Sequence, residues 1–341
     1  MAFPATLCVP ESDDTVKTEA IQRIRATRRL RWSAFARELL LLALLAVLCA
    51  IFARLSPQFL DSDNLREIAR HFSEVGLMAL PQTYVILTSG IDLSVGSLLG
   101  LSSVALGLSF EHLKWPFWEA AGAALGVGAL GGAVNGLAIA WWGMPALVVT
   151  LATLAIYRGL AVGISSGRSI TDFPDSSSWL GQGTIGPFPT QFLLLVAAVI
   201  LAGAALYKSP FGRYIYAIGG NETASRLGGV PVDRTRFLVY LLSGVASGLA
   251  AVVYVSRLGT ARPDAGSGIE LDVISAVVLG GTDVAGGDGG IIGTVLGLLI
   301  LSVLRNGLDL INFPQERQPV VIGALLITAI AIDRAVRRRR A

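Results

Sequence analysis

Two short segments of the sequence place acids and hydroxyl groups beside glycines in otherwise apolar surroundings. Residues 89–95 read SGIDLSV, and residues 267–273 read SGIELDV. An acid between membrane-type apolar stretches is costly unless it lies at an interface, caps a helix or lines a cavity. The neighbouring glycines predict an interrupted backbone, which persists at membrane depth only where protein or a cavity covers it. These segments therefore predict capped helix starts, parts of a substrate path, or both.

The candidate path residues are acids, glycines and a serine in or next to these segments, together with two asparagines in or beside apolar stretches. They are Gly90, Asp92, Ser94, Gly96, Asn135, Glu270, Asp272 and Asn306. For the three acids the structural alternative is the capping of a helix start, and both roles can hold at once. For the asparagines the alternative is a hydrogen bond to a neighbouring helix. Glycines away from the acids are expected to serve close helix packing.

The sequence offers no pattern for nucleotide or metal binding. It has no Gly-x-x-x-x-Gly-Lys-Ser/Thr phosphate loop, and the glycine-rich segment 280–290 contains no lysine. Two histidines, His71 and His112, and two cysteines, Cys8 and Cys49, suggest neither a metal site nor a disulfide framework. We therefore expect no catalytic residues, no metal, no cofactor and no nucleic-acid partner.

Composition places the two segments in a polytopic membrane protein. Of the 341 residues, 53% are hydrophobic and 15% are charged, whereas soluble domains carry about 25% charged residues. The predicted fold class is all-α, with about ten transmembrane helices, because ten apolar segments approach the roughly 20 residues that cross a bilayer. These segments lie near residues 39–52, 75–89, 95–113, 119–141, 144–165, 189–207, 237–258, 272–285, 290–305 and 319–333.

Basic residues predict how the spans are oriented. The N-terminal tail 1–38, the loop 208–236 and the C-terminal tail 334–341 are rich in arginine, which predicts a cytoplasmic position for each. Ten spans across residues 39–333 place all three on the same side. Five spans separate the two acidic segments, and because five is odd, the two halves of the chain would have inverted topology.

The loop 208–236 is predicted to contain a two-turn helix, Asn221–Leu227, outside the membrane. Asn221 suits an N-cap, Glu222 suits the positive start of a helix, and the glycines at 228–229 suit its end. A helix this short is marginal alone, and it has no apolar stripe broad enough for a lipid surface. We therefore expect it to pack against another protein.

Six segments occur in an order and spacing that are more specific than any one of them. They read GIDLSVGS at 90–97, PALVVTLATL at 145–154, GRYIYAIGGNE at 212–222, ELDVI at 270–274, VVLGG at 277–281 and GG at 286–287. Together the segments resemble the membrane subunit of bacterial ABC importers, in the branched group of ribose, xylose, rhamnose and autoinducer-2 permeases. The resemblance covers about residues 75–330.

The resemblance implies a permease subunit that imports a pentose, deoxyhexose or related small carbohydrate through the bacterial cytoplasmic (inner) membrane. Its partners would be a separate ABC ATPase subunit, a second permease subunit of the same or a related kind, a periplasmic sugar-binding protein and the lipid bilayer. The coupling loop within residues 208–236 would dock on the ATPase through Gly219, Gly220, Asn221, Glu222, Thr223, Ala224, Ser225, Arg226 and Leu227.

Two other classes remain as alternatives. An ion-coupled secondary transporter also favours inverted repeats and intramembrane acids, but it does not need a polar helix that packs on an ATPase. A membrane enzyme would need a catalytic pattern such as His-Glu-x-x-His, which two histidines so far apart cannot form.

Overall fold

The computed structural model describes residues 37–338, which form a helical bundle with one short hairpin. Most of the predicted tail 1–38 and the last three residues of the predicted tail 334–341 lie outside the described residues. The helices, numbered in chain order, are α1 Arg37–Leu55, α2 Ser62–Leu87, α3 Val95–Glu111, α4 Phe117–Ala140, α5 Ala146–Ser165, α6 Trp179–Gln182, α7 Thr190–Lys208, α8 Pro210–Gly220, α9 Glu222–Leu227, α10 Val232–Leu258, α11 Ile269–Leu279, α12 Ile291–Leu310 and α13 Gln318–Arg338.

Short 3-10 turns and one hairpin complete the described chain. The turns span Pro57–Leu60, Asp175–Ser178 and Gln315–Arg317. The strands β1 Thr184–Ile185 and β2 Phe188–Pro189 pair antiparallel. Each of the ten apolar segments overlaps one of the longer helices. Within residues 37–338, six helices (α1, α4, α5, α7, α10 and α12) are long and apolar enough to cross a membrane. The prediction of a polytopic, all-α membrane protein is therefore confirmed.

Three local predictions were incomplete. The second apolar segment was predicted near residues 75–89, but α2 begins earlier, at Ser62, and its first turns bury Ile68 and Phe72. The segment near 272–285 is helical only to Leu279, where two glycines follow and the second has φ +83°. The loop 208–236 contains a second helix, α8, which was not predicted.

Helix α2 occupies the middle of the bundle. It packs against α7, α10, α11 and α12, and every residue from 76 to 87 is buried. A helix that is apolar around its whole circumference must be covered on all sides. The buried polar groups on α2 therefore need partners within the bundle; for example, the hydroxyls of Thr83 and Thr294 lie 2.7 Å apart.

Helices α4 and α10 approach each other closely through glycine. A Cβ atom at Gly244 would lie 2.2 Å from the carbonyl oxygen of Gly128, and one at Gly132 would lie 2.4 Å from the carbonyl oxygen of Tyr240. Small residues at such crossings let helix backbones touch, which is a main source of packing energy inside membranes. The glycines of α4 and α10 thus set the distance between these helices.

We expect Gly244→Ala to destabilise the bundle, because the new methyl group must push α4 away from α10. Overpacking of this kind costs about 1–3 kcal/mol, and the loss should appear as a lower Tm of the purified protein in detergent. The matched control is Gly126→Ala on α4, where no atom lies within 4 Å of the added Cβ. Equal Tm values for the two variants would contradict the packing role of Gly244.

Candidate functional site

Asp92 lies in the non-helical residues 88–94 between α2 and α3, at the centre of a buried polar network. Asp92 is 1% exposed. Asp92 Oδ1 accepts hydrogen bonds from the backbone N–H of Ser94 at 2.9 Å and from Ser94 Oγ at 2.7 Å. Asp92 Oδ2 accepts one from Ser243 Oγ of α10 at 2.8 Å. These three donors compensate a carboxyl group that would otherwise be buried at high cost.

Asn135 of α4 extends this network. Its Nδ2 donates to Ser94 Oγ at 2.8 Å, so the amide bonds the start of α3, as expected for an asparagine in an apolar helix. Asn135 Oδ1 is buried and has no hydrogen-bond partner within the described residues. The network around Asp92 therefore satisfies the acid but keeps one free acceptor.

The second acidic segment follows a stretch of non-helical backbone, residues 259–268, that lies along α3. Arg158 of α5 fixes this stretch: its Nη1 donates to the carbonyl oxygens of Pro263 at 2.6 Å and Ala265 at 2.8 Å. The backbone N–H of Arg262 donates to Ser103 Oγ of α3 at 3.1 Å. Irregular backbone in a membrane bundle needs such internal partners, and the Arg158 guanidinium supplies them.

The two acidic segments meet at Gly96, in the first turn of α3. A Cβ atom at Gly96 would lie 2.3 Å from the carbonyl oxygen of Gly266 and 2.4 Å from Glu270 Oε2. Only glycine allows this approach. The Glu270 carboxylate consequently lies against the N-terminal turn of α3, where the helix dipole favours negative charge.

Asp272 and Asn306 lie elsewhere. Asp272 forms an ion pair with Arg305 of α12, while Asn306 exchanges hydrogen bonds with Asn64 of α2 at 2.7 and 3.0 Å. Both residues line a cavity of about 530 Å³ between α2, α11, α12 and the start of α13. The candidate path residues thus divide between the Asp92 network, the Gly96 contact and this cavity, with Gly90 in a further cavity described below.

The short helix α9 has the predicted cap. Asn221 is its N-cap, and Asn221 Oδ1 accepts a hydrogen bond from the N–H of Ala224 at 2.9 Å. Gly229 follows with φ +79°. Leu227 is 86% exposed, so α9 presents an apolar tip that residues 37–338 do not cover.

Ion pairs hold α9 against the start of α10. Glu222 binds Arg236 through both carboxylate oxygens, at 3.0 and 2.7 Å. Arg226 binds Asp233 at 2.5 and 3.0 Å and Glu222 at 3.2 and 3.3 Å. The hydrogen bonds to Asp233, and then those to Glu222, raise the pKa of the Arg226 guanidinium. Ion pairs of Glu222 and Arg226 therefore link α9 to the start of α10.

The end of α8 contacts the backbone at the end of α2. A Cβ atom at Gly219 would lie 1.9 Å from the carbonyl oxygen of Leu87, which also accepts a hydrogen bond from the N–H of Gly287 at 3.0 Å. Ser89 Oγ donates to the carbonyl oxygen of Ala285 at 2.7 Å. Residues 208–236 are thus joined, through α8, to the segment that carries Asp92.

Sequence reasoning missed several residues of this arrangement. Arg158 had a usable signal, since it is the charged residue inside the apolar stretch 146–165 and such residues are rarely without a role. Ser243 and Tyr240 had none, because hydroxyl groups are common in apolar helices. Residues 163–167 read GISSG and match the Gly-x-Ser-x-Gly pattern in letters alone: Ser165 ends a helix, and its Oγ donates to the carbonyl oxygen of Ala161.

Comparison with known proteins gives consistent relatives. Residues 64–330 match the family described as the branched-chain amino acid transport system / permease component. The chain is 40% identical over 310 residues to a ribose import permease protein of Escherichia coli (strain K12), covering 90% of this chain and 96% of that protein. It is 37% identical over 322 residues to the ribose import permease protein of Bacillus subtilis (strain 168), covering 94% and 99%.

A related permease with another named sugar matches equally fully. The chain is 36% identical over 324 residues to the D-allose transport system permease protein of Escherichia coli (strain K12), covering 94% of this chain and 98% of that protein. No solved structure matches the chain significantly.

We expect Asp92→Ala to lower the free energy of unfolding by about 2–4 kcal/mol, because the change leaves the Ser94 N–H and two buried hydroxyls without their acceptor. The measurement is the Tm in detergent. Asp175→Ala is the control, since Asp175 is exposed. A variant at position 92 as stable as this control would refute the structural role of the network.

Proposed function

We propose that this chain, which belongs to the family described as the branched-chain amino acid transport system / permease component, forms the membrane path for a small sugar. It is a permease subunit of an ABC importer and not an enzyme, and ATP hydrolysis belongs to a separate subunit. The observation that carries the choice of sugar is near-full-length similarity to permeases named for ribose and D-allose. The substrate is then a pentose, deoxyhexose or related small carbohydrate.

The proposed partners are those an importer of this class requires. They are an ABC ATPase subunit, a second permease subunit of the same or a related kind, and a periplasmic binding protein that delivers the sugar. The proposed location is the bacterial inner membrane, with both termini in the cytoplasm. An ion-coupled secondary transporter is not favoured, since the relatives are import-system permeases and α9 has no role in such a carrier.

The proposed topology is ten spans in two inverted halves, with the transmembrane domain at residues 39–333. In its support, a helix stands at each of the ten predicted positions. Helix α11 has 11 residues, which give about 16 Å of helix, so the span that contains it would be completed by the non-helical residues 259–268. Broken spans of this kind occur at the substrate sites of transporters with inverted repeats.

We propose that residues 219–227 form the surface that docks on the ATPase. The support is local: α9 is capped by Asn221, held to α10 by ion pairs and tipped by the exposed Leu227. A helix that is fixed at both ends in this way would stay folded when the ATPase subunit moves against it.

For the substrate path we retain the candidate residues with distinct roles. The Asp92 network and the Gly96–Glu270 contact lie where two broken segments meet, which is where transporters of inverted-repeat design bind their substrates. Asp272 and Asn306, in the cavity beside Arg305, would belong to another part of the path.

A coupling variant tests the proposed function directly. In proteoliposomes with the ATPase subunit and loaded binding protein, Glu222→Arg with Ala224→Leu should abolish sugar import, because the first change puts like charge against Arg236 and the second enlarges the docking face. ATP hydrolysis should become independent of transport. Thr223→Ser is the control on the same exposed turn. Full import of D-ribose or D-allose by the double variant would remove the docking role of α9.

Thiol labelling tests the topology. In a chain whose Cys8 and Cys49 are replaced by serine, Asp175→Cys and Ala224→Cys should react with a membrane-impermeant maleimide from opposite faces, because one position lies in the loop after α5 and the other in α9. Both residues are exposed. Labelling of both from the same face of sealed vesicles would contradict ten spans.

A further inference from the structure

A cavity of about 530 Å³ lies between α9 and the first acidic segment. Residues 88–91 form one side of it, residues 143–147 another, and Tyr240 of α10 closes the interior. Glu222, Arg226 and Arg236 complete the wall. Binding sites for small molecules fall in the range of about 300–1,000 Å³, so the cavity has room for a monosaccharide.

Tyr240 provides the observation that points to a ligand. The residue is 1% exposed, and its hydroxyl has no hydrogen-bond partner within the described residues. A Cβ atom at Gly90, which also lines the cavity, would lie 2.3 Å from this hydroxyl. Buried hydroxyls in native proteins nearly always have a partner, and Tyr240 lines the cavity, so a group bound there can supply the partner that the described residues do not.

The charged residues of the wall are already in ion pairs, which favours a neutral ligand. Glu222 is paired with Arg236 and Arg226, and Arg226 is also paired with Asp233. The wall itself carries two positive groups and one negative group. Asp233, which lies outside the cavity lining, is the remaining negative partner, so none of these four charged groups is left unpaired for an anion or a cation to bind. A neutral polyhydroxylated molecule needs only hydrogen-bond donors and acceptors, which the Tyr240 hydroxyl, Glu222 and the backbone of residues 88–91 can supply.

We propose that this cavity is a cytosol-side binding site for the transported sugar, with the Tyr240 hydroxyl as a direct contact and α9 as one wall. This site rests on the proposed function. An imported sugar would contact these residues last, just before it enters the cytosol. Because Glu222 belongs both to the docking surface and to the cavity wall and is paired with Arg236 of α10, a movement of α9 would change the site at the moment the ATPase moves.

The test uses the complete transporter, this chain with its ATPase and binding protein, in proteoliposomes. Import of D-ribose and of D-allose is measured for the wild type, for Tyr240→Phe and for Tyr254→Phe, a control on the same helix away from the cavity. Loss of one hydrogen bond to a neutral ligand predicts a roughly three- to tenfold slower import for Tyr240→Phe. If the hydroxyl had no ligand, its removal would leave import unchanged.

A second measurement detects the sugar itself. In the background without native cysteines, Ala146→Cys places a thiol on the cavity wall, and Lys208→Cys places one at an exposed position outside the cavity and outside residues 219–227. D-ribose or D-allose at high concentration should slow alkylation at position 146 by about threefold or more, since occupied sites do not react, and should leave position 208 unaffected.

The outcomes separate the inference from the function. Import by the wild type, with slow import by Tyr240→Phe and protection at position 146, is the expected result. Import by the wild type with a normal rate for Tyr240→Phe, or without protection at position 146, overturns the site and leaves the permease assignment intact. A wild type that imports neither sugar overturns the proposed substrate and the site together.

Discussion

Backbone hydrogen bonding at the breaks in the helices is the constraint on which the rest of the structure depends. Residues 88–94 and 259–268 are non-helical within a bundle of apolar helices, so many of their N–H and C=O groups lack the partners that a helix would provide. The chain supplies partners from side chains: Asp92 accepts from the Ser94 N–H, Thr150 Oγ1 donates to the Ile91 carbonyl, and Arg158 donates to three carbonyls. Each of these polar side chains is itself costly to bury without hydrogen bonds, so the buried polar groups occur as hydrogen-bonded networks.

Close helix packing brings these sets together. Ser243 and Asn135 reach the Asp92 segment because α10 and α4 are in backbone contact through Gly244 and Gly128. A wider separation of the two helices would move one donor away from the carboxylate or the start of α3. The high glycine content, 39 residues, is therefore linked to the acids: small residues set helix spacing, and helix spacing satisfies the breaks.

The sequence was informative where a signal is local. Hydropathy located each long helix, and the cap of α9 followed from Asn221 and the glycines at 228–229. The Asp92–Ser243 bond, between residues 151 positions apart, could not be foreseen, because a single sequence does not reveal how α10 is rotated against α3. Helix α8 was missed since its eleven residues are bounded by Pro210 and two glycines, which suggested a loop. The start of α2 was missed because its first turns are polar.

A movement of α9 would act on the first acidic segment over a short distance. In the last turn of α8, Gly219 lies against the carbonyl group of Leu87, which is the last helical residue before the first acidic segment. Across the cavity, Glu222 and Arg236 face the same residues 88–91 from the side of α10. Contacts alone establish proximity and not coupling. Both sets of contacts nevertheless meet at residues 88–91, where the N–H groups of residues 88–90 donate to carbonyl oxygens at the end of α2 and the Ile91 carbonyl oxygen accepts from Thr150 Oγ1. A displacement of α8 or α9 would therefore act first on the end of α2 and on the residues that lead to Asp92.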